Sequence, residues 1–196
     1  MSVLVYTESE KGKFKKNAFE AASYASAVAK MMDTTVTAIA FNSTENDSLG
    51  EYGVSKVMNV ADDSLTTFNA GAYAASIAEA VKSTDAKVVI LSSSTDTKYL
   101  APLLSAKLSA GYAPNVVQAP DSTSPFTVKR TAFSNKGFAH TQIDTDIKIV
   151  GVSNNAFGAH ENKVDVSVED ISGTADSATN DTKSVEIDKV VGKATI

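Results

Sequence analysis

The sequence predicts an α/β fold: a doubly wound, mainly parallel sheet with an antiparallel or mixed β portion at its C-terminal end. Three observations carry that expectation. Short, near-continuously apolar runs at residues 3–6 (VLVY), 35–41 (TVTAIAF), 56–60 (KVMNV) and 87–91 (KVVIL) read as strands buried on both faces of a parallel sheet. Stretches with helical spacing of apolar residues separate them, so the order runs βαβ(α)βαβα to residue 111, with right-handed crossovers. Beyond Pro114 the texture changes to alternating, hairpin-like segments.

Each element has its own signal. After the first strand and the charged stretch ESEKGKFKK, residues Ala18, Ala21, Ala22, Ala25, Val28, Ala29 and Met32 fall on one helical stripe, and its small side chains allow close approach to a sheet. The segment 42–53, NSTENDSLGEYG, reads as a loop with one helical turn, and ADDS as a turn after the third strand. Tyr73, Ile77, Ala80 and Val81 mark a helix over 70–81. Leu100, Leu103, Leu104 and Leu108 give the next helix a buried face, with Pro102 near the end of its first turn and Gly111 at its C-terminal cap.

Residues 126–133 and 138–143 flank SNKG as a β-hairpin, 147–152 (IKIVGV) form another strand, and Val164, Val166 and Val168 alternate with polar neighbours. The domain is expected to span 1–171. Residues 172–196 then read as an acidic linker (SGTADSATNDT) and a terminal strand around Val185 and Ile187.

Composition excludes several function classes. With 196 residues, 43% of them hydrophobic, the chain can bury an ordinary core. No apolar run approaches the ~18 residues of a membrane span. The strand-like opening leaves no room for a signal peptide, so a reducing, cytoplasmic compartment of a bacterium is expected, and the sequons at Asn42, Asn46 and Asn180 read as chance matches. Zero cysteines exclude disulfides and thiolate chemistry. The net charge of −5 is concentrated in residues 161–196, which carry eight acids and four bases. Arg130 is the one arginine among 18 basic residues, which argues against a nucleic-acid surface.

The common phosphate-loop, dinucleotide, nucleophile-elbow and zinc-protease motifs do not occur, and no catalytic, cofactor-binding or metal-ligating residue is assigned. His140, in a hairpin strand, and His160, in AHENK, read as structural. Asp62 with Asp63 and Asp144 with Asp146 could hold a metal, but turn chemistry explains both pairs more simply. Lys11, Lys13, Lys15 and Lys16 form a small basic patch beside Glu8 and Glu10 that reads as a solvated face. The turn from Ser92 to Thr97, between a buried strand and a helix, is the one ligand candidate. Its hydroxyls and the helix N-terminus could bind a phosphate, or they could simply cap the helix. The second reading is favoured because the turn lacks the glycine that lets a backbone approach a pyrophosphate.

The residues resemble a known family. The runs KVMNVADD (56–63), AYAASI (72–77), VVILSSSTDT (88–97) and KYLAPLLSAKLSAG (98–111) resemble, in order and spacing, the N-terminal domain of the electron transfer flavoprotein alpha subunit. The opening VLVYTE with GKFKK (12–16), the hairpin KRTAFSNKGFAHTQI (129–143) and Asn155-Ala156-Phe157 extend the likeness over nearly the whole chain.

The resemblance implies an adenine nucleotide alpha hydrolase-like, Rossmann-like three-layer domain. It further implies a docking scaffold without catalytic residues of its own, in a heterodimer with the beta subunit. That carrier takes electrons from flavin dehydrogenases, such as those of fatty acid beta-oxidation, to a respiratory acceptor. FAD in that family is held mainly by a separate C-terminal domain with G-G-R-G-type motifs, which this sequence lacks, so the chain is expected to be one domain of a longer subunit with no cofactor of its own. Leu103 and Ser153 stand where many relatives have arginine, and Asn154 and Thr131 where they have proline, so contacts made through those side chains do not carry over. Arg130 and Lys136 match basic family positions and are candidate interface residues. The alternative is a stand-alone module that binds AMP or ATP at the turn from Ser92 to Thr97.

Overall fold

A computed structural model describes residues 2–174. The chain begins with β1 (Ser2–Tyr6), a small ribbon of β2 (Ser9–Glu10) and β3 (Lys13–Phe14), and helix α1 (Lys16–Met31). It continues through β4 (Val36–Phe41), β5 (Lys56–Val60), α2 (Ala70–Thr84), β6 (Ala86–Ser92) and α3 (Thr95–Leu108). Then follow β7 (Gly111–Val116), β8 (Ser122–Thr123), β9 (Phe126–Ala132), β10 (Gly137–Gln142), β11 (Lys148–Val152) and β12 (Ser167–Ile171). Among the described residues the main sheet has the order β10-β9-β7-β11-β6-β1-β4-β5-β12, with β8 paired to β9. From β7 to β12 the pairings are parallel; β8, β9 and β10 are antiparallel.

Alternation along the strands builds two cores. Val3, Val5, Val88, Ile90 and Val150 point to the face covered by α1, and Leu4, Tyr6, Val89, Leu91 and Ile149 to the face covered by α2 and α3. On α1 the fully buried Ala18, Ala21, Ala22 and Ala25 let the helix axis lie close to the sheet. Leu100 and Leu104 anchor α3 on the opposite face. The result is the expected three-layer, Rossmann-like arrangement.

Helix ends follow local chemistry. The Asn69 side chain accepts from the N–H groups of Gly71 and Ala72, Ser94 caps α3 by accepting from Thr97 N–H, and Asp85 and Ser109 close α2 and α3 in the left-handed region. A short 3-10 helix over Asn46–Glu51, about two turns long, fills the loop where one helical turn is expected.

Several expectations are corrected. Pro102 lies about two turns into α3, not in its first turn, because the helix starts at Thr95. It is tolerated because it faces solvent, where water can take the carbonyl its ring leaves without a partner. Leu103 does not share the buried face; it is 44% exposed, since the burial stripe runs through Leu100 and Leu104. Gly111 is not the helix cap, a role taken by Ser109 at φ 50°, and instead opens β7. That strand is unforeseen because Pro114 and the positive-φ Asn115 disguise it. It tolerates them because its only pairing to β9 is Val116 with Arg130.

Val164 and Val166 lie outside a strand, and Val168 belongs to β12, which extends the parallel sheet beside β5 instead of joining the antiparallel portion. The expected terminal strand at Val185 and Ile187 lies outside the described residues.

Gly111 and Gly137 give a matched test. A Cβ at Gly111 would stand 2.6 Å from Ile143 Cγ2 and 2.9 Å from Thr145 Oγ1, whereas one at Gly137 meets nothing within 4 Å. Gly111→Ala is expected to lower stability in urea by about 1–3 kcal/mol. Gly137→Ala should leave it unchanged or raise it by about 0.5 kcal/mol, since alanine loses less chain entropy on folding.

Candidate functional site

The winding of the sheet opens a cleft. The β1–α1–β4 crossover runs to one side and the β6–α3–β7 crossover to the other, so the carboxyl ends of the neighbours β1 and β6 part company. The space between them is an open cleft of about 1040 Å³, walled by the starts of α1 and α3 and by residues around Asn154 and Gly158.

Glu8 sits at its floor. It lies two residues past the end of β1, and its backbone carbonyl accepts from Lys15 N–H at 2.9 Å, which fixes the short ribbon that leads into α1. Its carboxylate is only 2% exposed. Oε1 accepts from the Ser92 hydroxyl at 2.5 Å and from Thr97 Oγ1 at 3.4 Å, while Asn17 Nδ2 donates to Ser92 Oγ at 3.0 Å. This set joins β1, α1, β6 and α3. Lys15 Nζ lies 3.9 Å from Glu8 Oε2 and the same distance from Glu10 Oε2.

A second buried carboxylate shapes the far wall. Glu20, in α1, accepts from the N–H groups of Asn155, Phe157 and Gly158, each at 2.8 Å. Asn154 Nδ2 ties the same loop to the Ser93 carbonyl at 3.0 Å. Asp96, in the first turn of α3, has its carboxyl held above the usual range, chiefly by burial; Lys15 works against this, and Glu8 and Glu10 add to it.

The turn from Ser92 to Thr97 is therefore engaged by its own protein. Ser94 caps the helix, and Ser92 and Thr97 turn their hydroxyls toward the Glu8 carboxylate. The Glu8 carboxylate would oppose a dinucleotide pyrophosphate placed against this turn.

The other sequence candidates are dispersed. His140 Nδ1 pairs with Asp121 Oδ2 at 2.6 Å on the hairpin, and His160 Nε2 bonds the Phe157 carbonyl at 2.8 Å. Asp62 caps the turn at Ser64, while Asp63 takes the Thr66 hydroxyl on its carbonyl. Asp144 accepts from Gln142, and Asp146 bonds Lys87, which holds its carboxyl below the usual range. Among the described residues no cluster of metal-ligating side chains occurs. Of the basic patch, Lys15 and Lys16 line the cleft, while Lys11 turns the β2–β3 ribbon at φ 52° and Lys13 reaches Glu45 at 4.0 Å.

A second surface lies at a lateral edge of the sheet. β10 is its outermost strand, and the hairpin carries Phe133, 88% exposed, and Phe138, 62% exposed, beneath Lys129 Nζ at 4.6 Å from the ring. Phe133, Ser134 and Asn135 all have positive φ, between 51° and 64°. Arg130 Nε bonds Thr141 Oγ1 at 2.9 Å, and Lys136 sits at the hairpin tip.

Sequence reasoning assigned no role to Glu8, Asn17, Glu20 or the two exposed phenylalanines. The available signal is a charged residue among apolar ones: Glu8 two residues after a buried strand, and Glu20 amid the alanine stripe of α1.

No helix of the described residues is long and apolar enough to cross a membrane. The family model described as the electron transfer flavoprotein domain matches residues 3–191. No curated protein matches the chain.

Two measurements probe the cleft. Glu20→Ala strands three N–H donors and is expected to cost about 3 kcal/mol and to speed amide exchange at Phe157 and Gly158 above all. Asp96 binds its proton more tightly in the folded state, so its contribution is fully present below the ordinary value of 3.8 and is lost as pH rises through the raised one. Asp96→Asn should therefore remove a downward slope of stability in that window, and the variant should be the more stable protein at neutral pH.

Proposed function

Because the chain belongs to the electron transfer flavoprotein family, we propose that it is the N-terminal scaffold and docking domain of an alpha subunit. Proteins of this family carry electrons; they are not enzymes. In this reading the domain docks the beta subunit through the antiparallel edge formed by β9 and β10. The assembled flavin carrier then passes electrons from dehydrogenases to a respiratory acceptor, with the flavin held outside the residues described here.

The open hairpin edge is the observation that carries the docking reading. Among the described residues nothing pairs with the outer side of β10, which can offer its backbone donors and acceptors to another chain, and two exposed phenylalanines on the hairpin offer apolar area. Lys129, Arg130 and Lys136 make the same edge basic, which suits an acidic partner surface. The assignment to the alpha rather than the beta subunit is supported by the motifs from Lys56 to Gly111. The engagement of Ser92, Ser94 and Thr97 by Glu8 and by one another weighs against the stand-alone AMP or ATP module.

The test is reconstitution with the beta subunit of the same organism, followed by sedimentation and calorimetry. A one-to-one complex is expected, weakened about 30-fold or more by Phe133→Ser with Phe138→Ser, as for removal of interface anchors. Arg130→Ala and Lys136→Ala should mainly reduce the salt dependence of association. No complex, or one indifferent to all four changes, would sink the docking reading. Stoichiometric FAD on the isolated chain, or micromolar AMP binding lost in Thr95→Ala, would favour the alternatives.

A further inference from the structure

The cleft between β1 and β6 has unused hydrogen-bonding capacity of one kind. Among the described residues five buried side-chain polar atoms lack a hydrogen-bond partner, and three of them, Glu8 Oε2, Asn17 Oδ1 and Ser93 Oγ, belong to residues lining this one cleft. Two of the three are pure acceptors, and one is half of a carboxylate that is itself 2% exposed. A buried acceptor left in that state is costly, a charged one most of all.

The protein's own cations do not complete it. Lys15 Nζ stands 3.9 Å from Glu8 Oε2, beyond hydrogen-bond range, and is shared at equal distance with Glu10. The single arginine, Arg130, is bonded to Thr141 on the hairpin. A hydroxyl ligand would satisfy the amide and serine oxygens without neutralising the carboxylate. A guanidinium does both: its planar fork donates to several oxygens at once and carries the compensating charge.

We propose that this cleft is a receptor for an arginine side chain of a partner protein, with the guanidinium donating to Glu8 Oε2 and Asn17 Oδ1. Lys15 then swings wholly to Glu10. The exposed Lys16 and Lys98 on the lining are left facing the segment that brings the arginine, so acidic neighbours of that arginine are favoured. The site differs from the β10 edge and does not depend on the docking reading.

The test uses the full chain in an NMR titration with methylguanidinium at millimolar concentrations, with methylammonium as the ion of equal charge that lacks a fork. Saturable shifts at Glu8, Asn17 and Ser93 are expected for methylguanidinium, with methylammonium about tenfold weaker. Glu8→Gln should weaken the binding about tenfold, as loss of a charge-assisted bond does. Should that variant fail to fold, Asn17→Ala, at a half-buried position, reads the same site and should weaken binding severalfold. An Asp-Arg-Asp peptide should bind more tightly than Ala-Arg-Ala, and the pair Lys16→Ala and Lys98→Ala should erase that difference. Equal, unsaturating drifts for both ions, saturable shifts elsewhere on the chain, or affinity unchanged in both the Glu8 and Asn17 variants would overturn the proposal.

Discussion

The Glu8 carboxylate, buried where β1 and β6 diverge, is the constraint on which the carboxyl end of the sheet rests. A charge at 2% exposure is tolerated only if hydrogen bonds and a counter-ion replace its water. Here Ser92 and Thr97 supply the bonds to Oε1, and Lys15 the nearby charge. Those partners sit on β6, α3 and the ribbon before α1, so one side chain sets the distances among elements that are far apart in sequence. It also decides what the crevice can hold. In a parallel sheet the start of the helix after a switch-point strand is electropositive and suited to an anion; this protein places its own anion there.

Glu20 repeats the device one wall away. Three backbone donors converge on it, so the loop from Asn155 to Gly158, which has no regular secondary structure, is held by a carboxylate from α1 as firmly as a strand is held by its neighbour. The two buried acids thus turn an open crevice into a rigid one with defined walls. Rigidity of that kind suits a scaffold, whose task is to hold surfaces at fixed angles. It suits less a site that must close around a small ligand.

What the sequence made legible was the part of the fold set by periodicity. The run from Lys56 to Val60 is a strand with those same bounds, and the helix over 70–81 extends only to Thr84, because apolar spacing alone specifies buried strands and amphipathic helices. β7 was hidden because Pro114 and Asn115 contradict strand propensity, and only the single pairing to β9 makes them tolerable. Pro102 was misplaced because the start of α3 depends on Ser94 taking the cap, and several serines and threonines in the turn could have done so. The buried acids were illegible for a deeper reason. Nothing local to Glu8 says that Ser92, 84 residues away, will turn its hydroxyl toward it.

The hairpin poses the opposite problem, polar backbone and apolar side chains left in water. A phenylalanine held at positive φ costs about 1–2 kcal/mol relative to an ordinary conformation, and Phe133 stays 88% exposed among the described residues. Burying such a ring on a partner returns about 1.5–3 kcal/mol, more than the conformational cost. An exposed ring at positive φ is thus a conformational cost that burial would more than offset. The outer strand β10 likewise has no strand beyond it among the described residues, so its outer edge is open to pairing with another segment. The middle and the edge of the sheet thus differ in kind: the β1–β6 cleft is organised from within by buried charge, whereas the β9–β10 edge has no strand beyond it among the described residues.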